Sequence, residues 1–414
     1  MKKNFLFLLF ATSLVGMITF SCTRDFDYDD PDGVELKKRT KALFEEPGEL
    51  TPLELLGKNL FFDMNLSANG KMSCATCHAP EAGFTGPNSM INEMTAVYPG
   101  ALGERFGNRK PPTAAYGGGS PVLYFDEDEE LWIGGMFWDG RATGWTLGDP
   151  LAEQAMGPFL NPVEQAAPEM KFIVNMVAKA AYDTLFEQVE GWYYNPKNIE
   201  VTYEQIARAI SAYEKSAEVN PFSSKYDAYL AGNAELTEQE TLGLDLFNDE
   251  KKGKCALCHL SDPGQGGEPP LFTDFTYDNL GIPKNPDNPF YMMDEEINPD
   301  GMAWIDMGLG GFLESIGEDY DGEIGKHKVP TLRNVDKRPY PEFVKAYGHN
   351  GYFKSLEEIT HFYNTRDVPS ENWPMAEVPS TVNTEELGDL GLTMEEEAAI
   401  VAFMKTLSDG YIPD

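Results

Sequence analysis

Histidine and cysteine are the scarce residues of this chain, five of each among 414, and basic side chains are few, 32 against 68 acidic ones. Each shortage excludes something. A formal charge of −36 argues against nucleic acid as a partner, since a polyanion is repelled by a surface of its own sign. The cysteines leave none for a structural disulfide: Cys22 stands apart, and the other four fall into two Cys-x-x-Cys-His motifs. The apolar run from Phe5 to Phe20, behind Lys2 and Lys3, is too short to span a bilayer and has a signal-peptide layout instead.

Residues 1–22 therefore read as a signal peptide ending at a lipobox cysteine, Cys22, an ordinary signal-peptide cut nearby being the other reading. Either sends the mature chain out of the cytoplasm, to the periplasm as a membrane-anchored lipoprotein in the first case. Residues 23–45, which include "TRDFDYDDPDGVE", are short of aliphatic side chains and rich in Asp, as an acidic tether would be. With 42% hydrophobic and 12% aromatic residues, the rest is long enough for two globular domains. The acidity favours solubility; long-range attraction of a basic electron donor is its other use.

The two motifs are Cys74/Cys77/His78 and Cys255/Cys258/His259. A lone Cys-x-x-Cys in an exported protein is a redox disulfide or half a zinc site as readily as anything else. The adjoining histidine is what covalent haem c attachment needs: the sulfurs form thioethers with the porphyrin vinyls, and the imidazole reaches the iron. Apolar residues at helical spacing precede each motif, in "TPLELLGKNLFFDMNLS" and "LTEQETLGLDLFNDEKKG". "TMEEEAAIVAFMKTL" places Ala399, Val401, Ala402, Met404 and Leu407 on a helical pattern suited to packing across the opening helix of the second unit, and "YEQIARAISAYEKSA" suits the first. The expected fold is mainly α: two cytochrome c-like helical domains with long loops, one haem c each, at 46–220 and 236–410. The connection between them lies around 219–237.

Up to this point a dihaem electron carrier and an enzyme read equally well. The string "FWDGRATGWTLGDPLAEQAMGPFLNPVEQ", the two haem motifs and "KVPTLRNV" resemble, in order, the bacterial dihaem cytochrome c peroxidase and MauG family. That resemblance implies a peroxidatic haem in the N-terminal domain, an electron-transfer haem in the C-terminal one, and a tryptophan between them. Matched to the family pattern, the tryptophan is Trp138, and the distal-pocket residues are Gln154, Pro158 and Glu164. Trp145, in an insertion of this chain, is the lesser candidate for the bridge. Alone, Trp138 would read as aromatic core and Glu164 as a surface or capping residue. Within the pattern, Glu164 is the general acid–base that moves a proton between the oxygens of peroxide, and Gln154 orients the substrate.

The same resemblance implies the remaining ligands. No histidine follows His78 for a hundred residues, so the removable distal His of classical members is missing. Haem 1 is then expected to be five-coordinate or water-bound, as on the MauG side of the family, with a methionine ligand from Met90 or Met94 left open. For haem 2, the family's distal position after the "HxG" loop falls on Tyr363, His361 and Met307 being the rivals. His349 reads as a loop-shaping residue and His327 as a polar residue before "KVPTLRN". A Ca2+ ion between the haems is implied too, although Lys110 stands where the family has a ligating Asn, leaving Asn108 or carbonyls near Ala346. The implied activity is reduction of hydrogen peroxide with electrons from a small donor protein, a cytochrome c or a cupredoxin. MauG-like oxidation of a protein or organic substrate is the second reading and a non-catalytic carrier the third. Membrane contact would be through the lipid alone, and a homodimer is compatible with each.

Overall fold

The computed structural model describes residues 49–264 and 267–413, all within one compact unit, Pro47–Asp414. The signal peptide, Cys22 and the acidic tether fall outside the described residues. Among those described, no helix is long and apolar enough to cross a membrane.

The fold is mainly α, as expected. Ten α-helices occur among the described residues: α1 Pro52–Phe62, α2 Ser89–Met94, α3 Pro150–Leu160, α4 Met170–Val177, α5 Ile199–Glu214, α6 Lys225–Leu230, α7 Glu238–Asn248, α8 Gly308–Ile316, α9 Leu356–Thr365 and α10 Met394–Lys405. Two antiparallel ribbons are the only named sheets there: β1 Tyr124–Asp126 with β2 Leu131–Ile133, and β3 Tyr277–Asp278 with β4 His327–Lys328. Both cysteine motifs open on a single 3₁₀ turn, Cys74–Thr76 and Cys255–Leu257.

Local sequence explains where the main helices start. Thr51 and Glu54 form a reciprocal capping box ahead of α1, with Pro52 in the first turn. Thr237 with Glu240 repeats it at α7, and Thr393 with Glu396 at α10. Each box satisfies two backbone N–H groups that a helix start leaves unpaired, and its glutamate lies at the positive end of the helix dipole.

Two hydrophobic cores follow. Leu56, Leu60 and Phe61 of α1 pack with Ile206, Ile210 and Tyr213 of α5, against Phe159 of α3 and Ile173, Val174 and Val177 of α4. Leu246 and Phe247 of α7 pack with Ile400 and Phe403 of α10 and Phe362 of α9. Cys74 and Ala75 rest on the first core, Cys255 and Ala256 on the second. A smaller cluster unites Leu123, Tyr277, Leu309 and Leu313. The connection around 219–237 holds α6, and its Tyr226 belongs to the second core. Buried Asp409 ties that connection down, accepting from Tyr116 Oη and Asn334 Nδ2, both at 2.8 Å, and from the Ser223 backbone N–H at 3.0 Å.

One crossing occurs twice. A Cβ added to Gly57 would lie 1.8 Å from the Ala209 carbonyl oxygen and 2.9 Å from Tyr213 Cβ; one added to Gly243 would lie 1.9 Å from the Ala399 oxygen and 2.9 Å from Phe403 Cβ. In both units, then, the helix before the cysteine motif touches the backbone of its crossing partner, which only glycine permits. Gly57→Ala and Gly243→Ala should each destabilise the haem-loaded protein by about 1–3 kcal/mol or more, because backbone cannot yield as a side chain can. Thermal unfolding followed by circular dichroism would register this, and an unchanged midpoint would refute the close contact.

Candidate functional site

The first motif lines a cavity of about 170 Å³. His78 Nδ1 lies 3.0 Å from the Pro112 carbonyl oxygen and 3.2 Å from that of Phe84. Two carbonyl acceptors put the ring proton on Nδ1 and leave the Nε2 lone pair for a metal. Burial pulls His78 down to about 4, so the imidazole is neutral, the form that ligates. Cys74 and Cys77 are free thiols on the same wall, and burial pushes Cys77 up to about 12.

A second cavity, about 210 Å³, repeats the arrangement around Cys255, Cys258 and His259. His259 Nδ1 meets the Phe272 carbonyl oxygen at 2.8 Å. Phe247, Leu280, Val329, Leu387 and Ile400 make the rest of the wall largely apolar. Two thiols, a neutral imidazole aimed by a backbone carbonyl, and apolar sides are what a haem requires. Both cavities fit the group.

Gln154, Pro158 and Glu164 all line the first cavity. Gln154 and Pro158 are carried by α3, which ends at Asn161. Beyond that end the chain turns back, with the Glu164 N–H donating to the Asn161 carbonyl at 3.0 Å and the Glu164 carbonyl accepting from the Ala101 N–H at 2.6 Å. Burial raises the Glu164 carboxyl above its ordinary value; Arg141 and an Asn161 hydrogen bond pull the other way. Arg141 lines the cavity while its side chain stays 43% exposed, which marks the cavity mouth.

Trp138 lines both cavities, as do Lys110, Pro112 and Thr113. Its indole Nε1 donates to the Lys110 carbonyl at 3.0 Å, and its own carbonyl accepts from the Lys328 N–H at 2.9 Å. Trp145 lines neither cavity. It is 52% exposed and points its Nε1 at the Leu123 carbonyl, 2.7 Å away. Of the two tryptophans, only Trp138 therefore stands between the cavities.

Met90 and Met94 are 66% and 59% exposed on α2 and line neither cavity. In the second cavity Tyr363 is on the wall, and burial raises its phenol above the ordinary value. His361 turns outward, its Nδ1 2.9 Å from Glu397 Oε1, and Met307 is not on the wall. Met404, which the sequence reading passed over as a packing residue, is on it. His327 and His349 also line this cavity, stacked with ring centroids 3.6 Å apart and planes 7° from parallel. His327 is thus more than a polar residue before a turn. His349 Nε2 is buried without a hydrogen-bond partner. His327 Nε2 sits 3.3 Å from Asp306 Oδ1, near enough for attraction yet outside hydrogen-bond geometry. Both Asp306 oxygens are taken by Arg109, at 2.8 and 2.7 Å, and parallel rings do not converge on one ion, so this cluster is no metal centre.

Lys110 does not fit the ligand position that the expected calcium ion would need. The Lys110 ammonium, 5.8 Å from the Trp138 ring centroid, donates to the Pro111 carbonyl at 3.1 Å. An ammonium supplies no oxygen to a hard cation and brings a competing charge.

A family model described as di-haem cytochrome c peroxidase matches residues 52–235. A methylamine utilization protein MauG from Paracoccus denitrificans is 34% identical, the match covering 86% of this chain and 88% of that protein. The chain belongs to the dihaem cytochrome c peroxidase family. A cytochrome c551 peroxidase from Nitrosomonas europaea is 29% identical over 90% of this chain and 84% of its own. The crystal structure of the diheme peroxidase BthA from Burkholderia thailandensis superposes with a TM-score of 0.73 at 30% identity, covering 88% and 87% of the two chains. As a family member the chain is an oxidoreductase that uses peroxide, and its two cavities answer to two haems.

Sequence reasoning missed a second carboxyl in the first cavity, Glu214 on α5, which is 4% exposed with Oε2 unpartnered. The signal was present: Glu214 follows Ile206 and Ile210 at helical spacing, on the buried face. Burial raises it from 4.5 to about 8, so the fold holds it protonated at neutral pH. Because the folded state then binds the extra proton, its stability falls as pH rises from the ordinary value through about 8. Glu214→Gln should remove that decline, seen as the wild-type minus variant difference in melting temperature across this range; parallel curves would contradict it.

Proposed function

We propose that this chain is an exported, lipid-anchored periplasmic dihaem peroxidase that reduces hydrogen peroxide to two waters, taking two electrons from a small redox protein. Haem c groups bound covalently through Cys74 and Cys77, and through Cys255 and Cys258, with His78 and His259 as proximal ligands, supply the redox chemistry. The observation that carries the reading is a carboxyl, Glu164, lining the same cavity as His78, with an indole, Trp138, shared by both cavities.

The work left to the protein is proton transfer and positioning. Ionised Glu164 accepts a proton from one peroxide oxygen and returns it to the other as the O–O bond breaks, so the leaving group departs as water rather than hydroxide. Gln154 offers an amide to orient the substrate, and Pro158 shapes the turn of α3 above it. Arg141 holds back the rise in the Glu164 pKa, keeping the base available in an apolar site. A haem held by His259 would supply electrons, and Trp138, which lines both cavities and whose ring is fixed by its bond to the Lys110 carbonyl, would be their route to the first cavity.

A second reading has a specific observation behind it: Tyr363 lies on the wall of the second cavity, and a relative at 34% identity is named MauG. A phenolate ligand favours ferric and higher iron states, which suits oxidation of a protein or organic substrate rather than turnover with a donor. Steady-state oxidation of a reduced cytochrome c by peroxide separates the two. A carrier without catalysis would leave its spectrum unchanged when peroxide is added.

Glu164→Gln should lower the rate of peroxide reduction by about 10²–10⁴-fold with both haem spectra intact. In the wild type the rate should climb as pH rises through the raised Glu164 pKa, and the variant should lose that limb. Retained activity would take Glu164 out of the proton step. Tyr363→Phe should convert a low-spin signal of the oxidised protein to high-spin in electron paramagnetic resonance; an unaltered spectrum assigns the ligand elsewhere, with Met404 the next residue to replace.

A further inference from the structure

We propose that an exposed aromatic face, made by the β1–β2 ribbon, the loop 143–148 and α8, is the docking surface for a basic redox protein with lysines around its cofactor edge. The proposal rests on the reading that electrons come from a small donor protein, and it names where that donor binds. Phe125 and Trp132 pair across the ribbon with ring centroids 5.6 Å apart, and the Trp145 ring lies 6.4 Å from Phe312 on α8. Phe125 and Trp145 are 43% and 52% exposed.

The indole is held in place from beneath. The Glu153 carboxylate accepts from the backbone N–H groups of Gly144 and Thr146 at 2.7 Å and of Leu147 at 2.8 Å, lashing the loop to α3. Trp145 Nε1 is bonded to the Leu123 carbonyl, and the Leu123 N–H donates to the Thr143 carbonyl at 2.8 Å. A large aromatic side chain already fixed loses little freedom on binding, which is what an interface anchor needs.

The charge around this face has one sign. The ribbon turn reads Asp126-Glu127-Asp128-Glu129-Glu130, and α8 runs into Glu314, Glu318, Asp319 and Asp321, with no lysine or arginine in 122–133 or 311–325. All of these acids except Asp126 are exposed. An apolar centre inside an acidic rim suits a cationic partner and steers it by long-range attraction. A second copy would bring two acidic rims together, and anionic lipid would be repelled, so neither is the occupant. The face also reaches the electron-entry side: Trp132 and Phe312 pack against the cluster that contains Tyr277, and the next residue, Asp278, lines the second cavity.

The test uses the haem-loaded protein and, as probe, a lysine-rich mitochondrial cytochrome c. Trp145→Ala and the triple replacement Glu127→Lys, Asp128→Lys, Glu129→Lys are expected to raise Kd by calorimetry, and KM in turnover, about tenfold or more. The maximal rate and the single-turnover reaction with peroxide should stay at wild-type values, and the salt dependence of association should flatten in the triple variant. Unchanged Kd in both variants overturns the proposal, as does a wild-type dimer that Trp145→Ala dissolves. Binding that depends on this face without peroxide turnover would defeat the peroxidase reading and keep the surface; turnover with unaltered Kd would do the reverse.

Discussion

The buried charge cluster of Arg109, Asp139 and Asp306 fixes what stands between the two cavities. Arg109 Nη1 meets Asp139 at 2.6 Å, and its Nε and Nη2 clamp Asp306 from 197 residues away. Asp139 follows Trp138, Lys110 follows Arg109, and Asp306 adjoins His327. Three loops without regular structure are therefore set by one guanidinium. Replacing such a cluster with apolar residues need not cost stability, but removing one member strands the others in a dry site. Its value here is geometric: it sets the distance between an indole and the cavities on either side.

A chain of net charge −36 nevertheless places several basic groups around the second cavity. Lys110 and Lys328 line the second cavity, and burial brings them down to about 8 and about 7. Arg333, fully buried, lines it as well, with Nη1 paired to Asp227 at 2.7 Å and Nη2 unpartnered. Cations kept in a low-dielectric interior cost energy unless something anionic answers them. Haem carboxylates are the anions that a dihaem protein brings inside. The basic groups around the second cavity are thus placed where haem carboxylates would meet them.

Much of the site could be read from the sequence because its parts are local. Cys-x-x-Cys-His needs five residues, a helix face needs a dozen, and the Gln154–Glu164 spacing lies within one helix and its turn. What could not be read depends on pairs far apart along the chain. Arg109 with Asp306, Asp409 with Tyr116, and the His327–His349 stack have no local signature, since nothing near His327 announces that His349 will lie against it. α6 was hidden for a different reason: a six-residue helix in a Gly- and Asn-containing stretch has too few periodic positions to stand out. Trp145 was read as part of an insertion, and that alone does not say whether an aromatic residue turns inward or out.

The division of labour between the cavities follows from what faces each histidine. The first cavity holds, besides His78, the Glu164 carboxyl and the Gln154 amide, and Met90 and Met94 are turned to solvent. The second holds, besides His259, Tyr363 and Met404, side chains of types that can ligate iron. An open site can accept substrate, and a closed one can accept only electrons. Under the proposed peroxidase reading, the indole in the shared wall would let the second cavity provide the second electron that a two-electron reduction in the first needs. Repeating the Gly57 crossing at Gly243 gave the chain two frames of the same kind, and different residues across each cavity suffice to give them different work.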